Sequence, residues 1–171
     1  FPTSGGDDRA PAYRSARAGL VALGDLVLPR ECAGCALAGT PLCASCAAAL
    51  RRPGRPAWPR PVPVGLPPVF AIGGYEGVLR AVLLEHKERG RLGLARPLGV
   101  GLAQAVLAAG GRHPVTLVPV PSTRRATRRR GHDPTGRIAL AAAVELRRSG
   151  VEAGVVGALC HRRRIRDQTG L

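Results

Sequence analysis

The second half of the chain alternates between two spacings of apolar residues. VFAIGGY (69–75), VTLVPVP (115–121) and VEAGVVGAL (151–159) are short apolar runs of the kind that form strands. The middle run is β-branched and ends in proline, and it is predicted to be buried. GVLRAVLLEHKERG (77–90), residues 92–109 and PTGRIALAAAVELRRSG (134–150) have helical spacing instead. Strands that alternate with helices predict βαβ units, a parallel sheet and the α/β fold class.

The first half of the chain divides into segments of different composition. Residues 1–15 are polar and predicted to be a disordered leader. Residues 16–28 are predicted to form a short apolar helix that Pro29 ends. A cysteine-rich segment follows, up to residue 50. Residues 51–68 carry seven prolines, which predicts an extended linker with little helix or sheet. We therefore expect a helix plus cysteine knuckle over 16–50 and a second domain over 69–171.

The apolar runs are too short for a membrane-spanning segment. None reaches the length of about 18 residues that a spanning helix needs, and the polar start lacks the apolar region of a signal peptide. These features predict a cytoplasmic protein without a membrane span. The chain also contains no Met, so we expect that its natural N-terminus is missing.

Four of the five cysteines form two Cys-x-x-Cys pairs within one short segment. The spacing Cys32-x2-Cys35-x7-Cys43-x2-Cys46 predicts two hairpin knuckles that complete a closed, tetrahedral site for structural zinc. Gly34 and Gly39 are expected to relax the turns. Disulfides are the main alternative, but the missing secretory signal argues against them. A thioredoxin-like redox couple needs such a motif at a helix start beside a strand, a context that the sequence does not suggest. Cys160 is left over and is expected to be a buried or inert thiol.

The chain is strongly basic, with a formal net charge of +15. Residues 112–171 contain 13 basic and 4 acidic residues, a net of +9, so the positive charge is densest there. A GC-rich genome would explain why arginine replaces lysine, but not why acidic residues are few. The surplus suggests a polyanionic partner such as a phosphorylated small molecule, a nucleic acid or an acidic protein.

The segment VTLVPVPSTRRATRRRGHDPTG (115–136) combines features that suit a phosphate. The predicted strand ends in Pro-Ser-Thr, at the edge where α/β sheets bind ligands, and an arginine-rich turn follows. Asp133 as N-cap and Pro134 then begin the helix that Gly150 ends, and a helix start favours anions. Five arginines surround the strand end: Arg124, Arg125, Arg128, Arg129 and Arg130. A solvated basic loop, with or without nucleic-acid contact, explains the same residues.

Four motifs occur in order between residues 29 and 171. They are the cysteine knuckle after a short helix, Tyr75-x-Gly77-x-Leu79-Arg80 followed by Lys87, VPVPST with its trailing arginines, and Arg130-Gly131-x-Asp133 entering a helix. Their order resembles the ComF family, the phosphoribosyltransferase-like proteins linked to natural competence. The late stretch RRRIRDQTGL resembles the family's Arg-x-x-x-Gln-type stretch through Arg164, Arg166, Asp167, Gln168 and Thr169.

The resemblance implies a fold and a ligand site. The fold is a phosphoribosyltransferase-type parallel sheet behind a small zinc-ribbon-like module. VPVPST corresponds to the diphosphate-binding loop, so the residues implied to face the diphosphate of phosphoribosyl pyrophosphate are Ser122, Thr123, Arg124 and Arg125. Arg130, Gly131 and Asp133 belong to the same candidate site. Lys87 is a further candidate there, with an exposed residue on an amphipathic helix as the equal alternative.

The resemblance also implies a function in DNA uptake during natural competence. The expected ligand is phosphoribosyl pyrophosphate or a related phosphorylated compound, and phosphoribosyl transfer usually uses Mg²⁺. The alternative is a non-enzymatic zinc-knuckle module whose basic face holds single-stranded DNA or a partner of the uptake machinery. His132 and Asp133 stand where family members often have Phe-Asn, so we assign His132 packing or hydrogen bonding and no catalysis.

The family's second signature has no match in the sequence. That signature is a strand leading into two adjacent acidic residues and a Thr-Thr-Gly turn that cradles the ribose 5-phosphate. The chain ends at Leu171, just before that strand is expected. We therefore expect a fragment whose sheet is incomplete at the C-terminus, with a naturally short, inactive form as the alternative.

Overall fold

The computed structural model of the protein describes residues 31–111 and 113–161. Its α-helices are α1 Ala44–Leu50, α2 Gly77–Lys87, α3 Ala95–Ala108, α4 Arg124–Arg130 and α5 Pro134–Arg148. A 3-10 turn, Leu92–Leu94, leads into α3. The strands are short: β1 Arg55–Pro56, β2 Phe70–Ala71, β3 Val115–Leu117 and β4 Ala153–Val155. The predicted leader (1–15), the predicted helix (16–28) and the stretch 162–171 lie outside the described residues.

The longest helix, α5, begins and ends where its sequence predicts. Asp133 has the extended backbone of an N-cap, and Pro134 occupies the first turn, where its missing N–H costs nothing. Arg147 and Arg148 lie in the last turn, where positive charge suits the helix dipole. Gly150 then takes a left-handed φ of 80°, which ends the helix. The predicted helix over 134–150 is confirmed.

β3, α5 and β4 form the parallel unit that the alternating pattern predicts. β3 and β4 pair in parallel, with Val115 opposite Ala153 and Leu117 opposite Val155. α3 packs closely on α5, because a Cβ on Gly99 would lie only 2.5 Å from Ala141 Cβ. The mixed helix and sheet class is therefore confirmed. Each sheet in the described residues has only two strands, so a phosphoribosyltransferase-type sheet stays a prediction.

The proline-rich segment departs from the predicted extended linker. Part of it folds back as β1, which pairs antiparallel with β2, and Ala57 N donates to Val69 O at 2.8 Å. The strand predicted over 69–75 therefore shrinks to two residues and does not join the parallel pair. The segment also packs on α3, since a Cβ on Gly54 would lie 2.6 Å from Ala105 Cα. The close backbone approach that a glycine allows explains why this segment is not detached.

Two expectations for residues 115–130 are wrong. The strand over 115–121 is not buried, because only three residues pair and Val118 and Val120 are exposed. The expected arginine-rich turn is the helix α4. Thr123 caps it by accepting a hydrogen bond from Ala126 N at 3.2 Å, and Gly131 ends it with a φ of 72°. These caps at both ends favour a helix over an open turn.

The apolar core consists of two clusters. One joins the cysteine knuckle to the helices through Ala33, Leu50, Val82, Leu94 and Leu98. The other lies between α3, α5 and the parallel strands, built from Ala103, Ala143, Leu146, Val151 and Ala153. The first cluster contains residues from both predicted domains, 16–50 and 69–171. The knuckle is therefore packed on the helical body, and the predicted domain limits stay predictions.

Candidate metal centre and the basic segment

The first Cys-x-x-Cys pair lies in a tight hairpin. Cys32 N donates to Leu37 O at 2.8 Å and Ala36 N donates to Cys32 O at 2.9 Å. Ala36 and Gly39 both take left-handed φ values, 60° and 85°, which turn the chain sharply. A β-bridge between Glu31 and Ala38 closes the hairpin. Glycine at 39 was expected to relax this turn, and its φ confirms that role.

The second pair begins helix α1. Cys43 is the N-cap, and its Sγ accepts from Cys46 N at 3.5 Å. Cys46 is buried one turn into the helix, while Leu50 on the same helix is fully buried in the core. We expected neither Cys-x-x-Cys motif to lie at a helix start beside a strand. The helix that begins after Cys43 shows that the first part of this expectation is wrong for the second motif. The first pair nevertheless converges on the second, which makes a four-thiol cluster rather than an isolated redox dithiol.

The four sulfur atoms are spaced as a metal site requires. All four Sγ atoms lie within 4.8 Å of one another, and Cys35 Sγ is 3.7 Å from Cys43 Sγ. A tetrahedron with Zn–S bonds of about 2.3 Å has edges of about 3.8 Å. A disulfide would need about 2.05 Å, and the five cysteines are all unpaired. Cys160 is exposed, so of the two expectations for it, a buried or an inert thiol, burial is wrong.

Backbone N–H groups point at the buried sulfur of Cys32. Gly34 N lies 3.4 Å from it and Cys43 N lies 3.3 Å from it. Burial raises the pKa of the Cys32 thiol, but hydrogen bonds from the N–H groups of Cys43, Gly34 and Cys35 outweigh burial and lower that pKa to about 6. Donors of this kind stabilise a thiolate, the form that binds metals.

Two other thiols of the cluster have raised pKa values. Burial, followed by the neighbouring thiols, raises the pKa of Cys46. At exposed Cys35 the N–H of Leu37 lowers the pKa, but the thiols of Cys32 and Cys43 outweigh it and the pKa rises. Four thiolates this close repel one another unless a cation lies between them. The arrangement therefore suits a bound metal better than four bare thiolates.

Gly34 is required by the close packing of the knuckle on α1. A Cβ at this position would lie 2.6 Å from Cys46 Sγ and 3.0 Å from Val78 Cγ1. Any side chain would push directly on a sulfur of the cluster. From the sequence, Gly34 was expected only to relax a turn. In the structure, its missing side chain also leaves room for Cys46 Sγ.

Arg91 reaches the knuckle from the turn after α2. Its Nη2 donates to Glu31 O at 2.9 Å and to Pro41 O at 3.1 Å, and its Nη1 lies 3.5 Å from Glu85 Oε2. The contacts of Arg91 with the knuckle were not predicted from the sequence. No local pattern reveals them, because the partners lie 50 and 60 residues away.

Several predicted ligand residues of the basic segment already have partners within the protein. Ser122 Oγ donates to Asp133 Oδ1 at 3.1 Å. Thr123 caps α4, Arg124 is its first residue and Gly131 ends it. The candidate hydroxyls at the end of β3 therefore already have partners within the protein.

The predicted basic ligands differ in their exposure and partners. Arg130 forms a two-point ion pair with Glu88, at 2.7 and 3.1 Å, and its side chain is only 8% exposed. Lys87 and Arg125 are exposed, and Lys87 matches the alternative of a surface residue on α2. A cavity of about 480 Å³ lies beside the Arg130–Glu88 pair rather than at the loop after β3, lined by Glu88, Arg89, Gly90, Arg129, Arg130 and His132.

A pair of histidines links α2 to the start of α5. His86 is fully buried, with Nδ1 3.2 Å from Arg91 O and Nε2 3.3 Å from Pro134 O. His132 lies against it at a ring-centroid distance of 5.7 Å and contacts Arg130 O through Nδ1. The packing and hydrogen bonding of His132 agree with the role assigned from sequence. His86 was missed, because a histidine on a helix gives no sign of its burial.

Comparison with family models, with curated proteins and with solved structures finds no significant match to this chain. The resemblance to the ComF family therefore stays a prediction from the motifs. Within 31–111 and 113–161, no helix has both the length and the apolar character to cross a membrane.

Proposed function

We propose that the protein is a zinc-stabilised module that binds a phosphorylated ligand. The four-cysteine cluster is the single observation that carries the zinc assignment, since its Sγ atoms lie within 4.8 Å of one another. A set of four thiolates in tetrahedral spacing favours zinc over hard cations, which prefer oxygen. Four protein ligands fill the coordination sphere, so the metal is structural and not catalytic.

The metal supplies folding free energy that the knuckle lacks. Between residues 31 and 43 the buried residues are the small Cys32 and Ala33. So little apolar surface cannot offset the entropy of ordering a dozen residues, at roughly 1–2 kcal/mol each for the backbone. Small metal modules obtain that free energy from metal binding. Elemental analysis of freshly purified protein should find one zinc per chain, and finding no metal would contradict the assignment.

For the ligand we propose phosphoribosyl pyrophosphate or a compound with the same diphosphate chemistry. The support is the parallel unit β3–α5–β4, because ligands of such sheets bind beyond the carboxyl ends of the strands, and Ser122 and Arg125 follow the carboxyl end of β3 along the chain. The ComF resemblance supplies the identity of the ligand and the link to DNA uptake. Where transfer occurs, arginines stabilise the leaving diphosphate electrostatically, and Mg²⁺ supplies further charge.

Calorimetric titration with phosphoribosyl pyrophosphate tests this ligand. Arg125→Ala should weaken binding about tenfold to a hundredfold, the equivalent of losing about 1.5–3 kcal/mol of charge-assisted hydrogen bonding. Arg148→Ala is the matched control, since Arg148 is also exposed but lies at the other end of α5, about 20 Å from Asp133. Equal, small losses in both variants would show only a diffuse positive field and would contradict a diphosphate loop.

A second candidate function is the binding of single-stranded DNA. The observation in its favour is the exposure of three arginines on α4: Arg125, Arg128 and Arg129. Because aromatic residues make up 3% of the chain, stacking would contribute little and phosphate contacts would dominate. Binding to oligonucleotides should then weaken steeply with salt and show little sequence preference. A flat salt response would contradict this candidate.

A further inference from the structure

Arg91 connects the cysteine knuckle to the body of the protein. Its Nη2 bridges Glu31 O and Pro41 O, the carbonyls that precede the two Cys-x-x-Cys pairs. Its Nη1 faces Glu85 on α2. One planar guanidinium therefore joins both ends of the segment 31–41 to α2, and an arginine holds such a position well because its donors have a fixed geometry.

The backbone of Arg91 closes the turn that follows α2. Its N–H donates to Glu85 O at 3.1 Å, and its carbonyl accepts from Leu94 N at 3.1 Å. The same carbonyl faces His86 Nδ1 at 3.2 Å. The side-chain contacts to the knuckle and the backbone contact to His86 therefore meet at one residue.

His86 carries this connection to α5. Its Nε2 lies 3.3 Å from Pro134 O, in the first residue of α5, and the ring is fully buried. One rigid ring therefore faces the carbonyl of Arg91 on one edge and that of Pro134 on the other. We expect a movement of Arg91 O to shift the ring and with it the contact at the start of α5.

We propose that Arg91 is a positioning residue that couples metal occupancy of the knuckle to the contact between α2 and the start of α5. This coupling depends on the metal that we propose for the knuckle. With the metal bound, Glu31 O and Pro41 O are held where Arg91 can reach both. When the metal leaves, little apolar burial holds the segment 31–41, so these carbonyls move and the turn after α2 loosens. Linkage requires the reverse effect, so losing the Arg91 contacts must weaken metal binding.

Metal affinity gives the first measurement, by competition with a chromophoric zinc chelator. Arg91→Ala should weaken zinc binding about 10–100-fold, the usual effect of removing a partner that orients metal ligands. Arg91→Lys keeps the charge beside Glu85 but cannot bridge two carbonyls, so it should also lose most of the affinity. Arg89→Ala is the matched control. Arg89 pairs with the same Glu85, but its side chain is 76% exposed. The zinc affinity of Arg89→Ala should therefore differ from that of the wild type by less than about threefold.

Hydrogen exchange gives the second measurement, on full-length protein with zinc bound and after chelation. In the wild type, chelation should speed exchange in the knuckle, in residues 84–94 and in residues 133–138, but not in residues 99–107 of α3. In Arg91→Ala, residues 84–94 and 133–138 should exchange at the same rate with and without zinc. Arg89→Ala should behave as the wild type.

Three results would overturn the coupling. They are faster exchange confined to the knuckle, faster exchange throughout the protein including 99–107, and equal behaviour of the Arg91→Ala and Arg89→Ala variants. Each of these leaves zinc in the knuckle, so the proposed metal site would survive. Absence of zinc from the purified wild type would overturn the metal site and the coupling together, and elemental analysis separates that result from the other three.

Discussion

The cysteine knuckle and the basic segment 122–134 were both predicted to be ligand sites, but their side chains are arranged differently. In the knuckle, four thiols lie within 4.8 Å of one another, so their thiolates would repel one another without a cation between them. In the basic segment, Arg130 pairs with Glu88, and the side chain of Ser122 bonds that of Asp133. Residue type suggested a ligand site in both places. The difference teaches that a cluster indicates a ligand more clearly where groups of like charge converge than where groups of opposite charge pair.

The largest expected effect tests the knuckle side of this contrast. Cys43→Ser should abolish zinc binding and lower the free energy of unfolding by an amount on the order of 3–5 kcal/mol, because the metal supplies the knuckle's stability. Serine is itself a good N-cap, so the loss reports on the metal and not on the cap of α1. Urea unfolding with parallel metal analysis measures both quantities. Cys160→Ser, at an exposed thiol outside the cluster, should change neither.

A smaller effect is expected from crowding the cluster. Gly34→Ala would place a Cβ 2.6 Å from Cys46 Sγ, so it should destabilise the protein by about 1–3 kcal/mol and weaken zinc binding. Gly93→Ala is the matched control, because a Cβ there meets nothing within 4 Å. Thermal unfolding and chelator competition compare the two variants. Equal stability of both would show that the knuckle does not pack on α1 as described.

The smallest expected effect concerns the Arg130–Glu88 ion pair of the basic segment. A double-mutant cycle of Arg130→Ala and Glu88→Ala should give a coupling of about 1 kcal/mol, since Glu88 is 29% exposed and solvent screens the pair. Arg125→Ala, at an exposed arginine of the same helix, should stay within about 0.5 kcal/mol of the wild type. Denaturant unfolding measures the four proteins of the cycle and Arg125→Ala. A coupling near zero would mean that Arg130 remains available to a ligand, and the contrast between the two regions would fail.

The sequence predicted well what depends on neighbouring residues. The spacing from Cys32 to Cys46 brings the four thiols together because each pair needs only one turn. Asp133, Pro134 and Gly150 mark the ends of α5 through backbone preferences that act over a few residues. Helix α4 was missed although Thr123 and Gly131 cap it, because its five arginines were interpreted as ligands instead of helix formers.

Contacts between distant residues could not be predicted in the same way. Arg91 meets Glu31 across 60 positions, Glu88 meets Arg130 across 42 and His86 meets Pro134 across 48. Each of these pairs depends on how α2 packs against the knuckle and against α5. No periodicity in the sequence encodes such packing, and so the residues that tie the two regions to the body became visible only in the structure.

X-ray absorption at the zinc edge of the purified full chain tests the central claim most directly. The zinc assignment predicts one zinc per chain surrounded by four sulfur atoms at about 2.3 Å, and no bound zinc in Cys43→Ser. Protein without zinc, or with sulfur–sulfur bonds of about 2.05 Å in place of a metal shell, would contradict it.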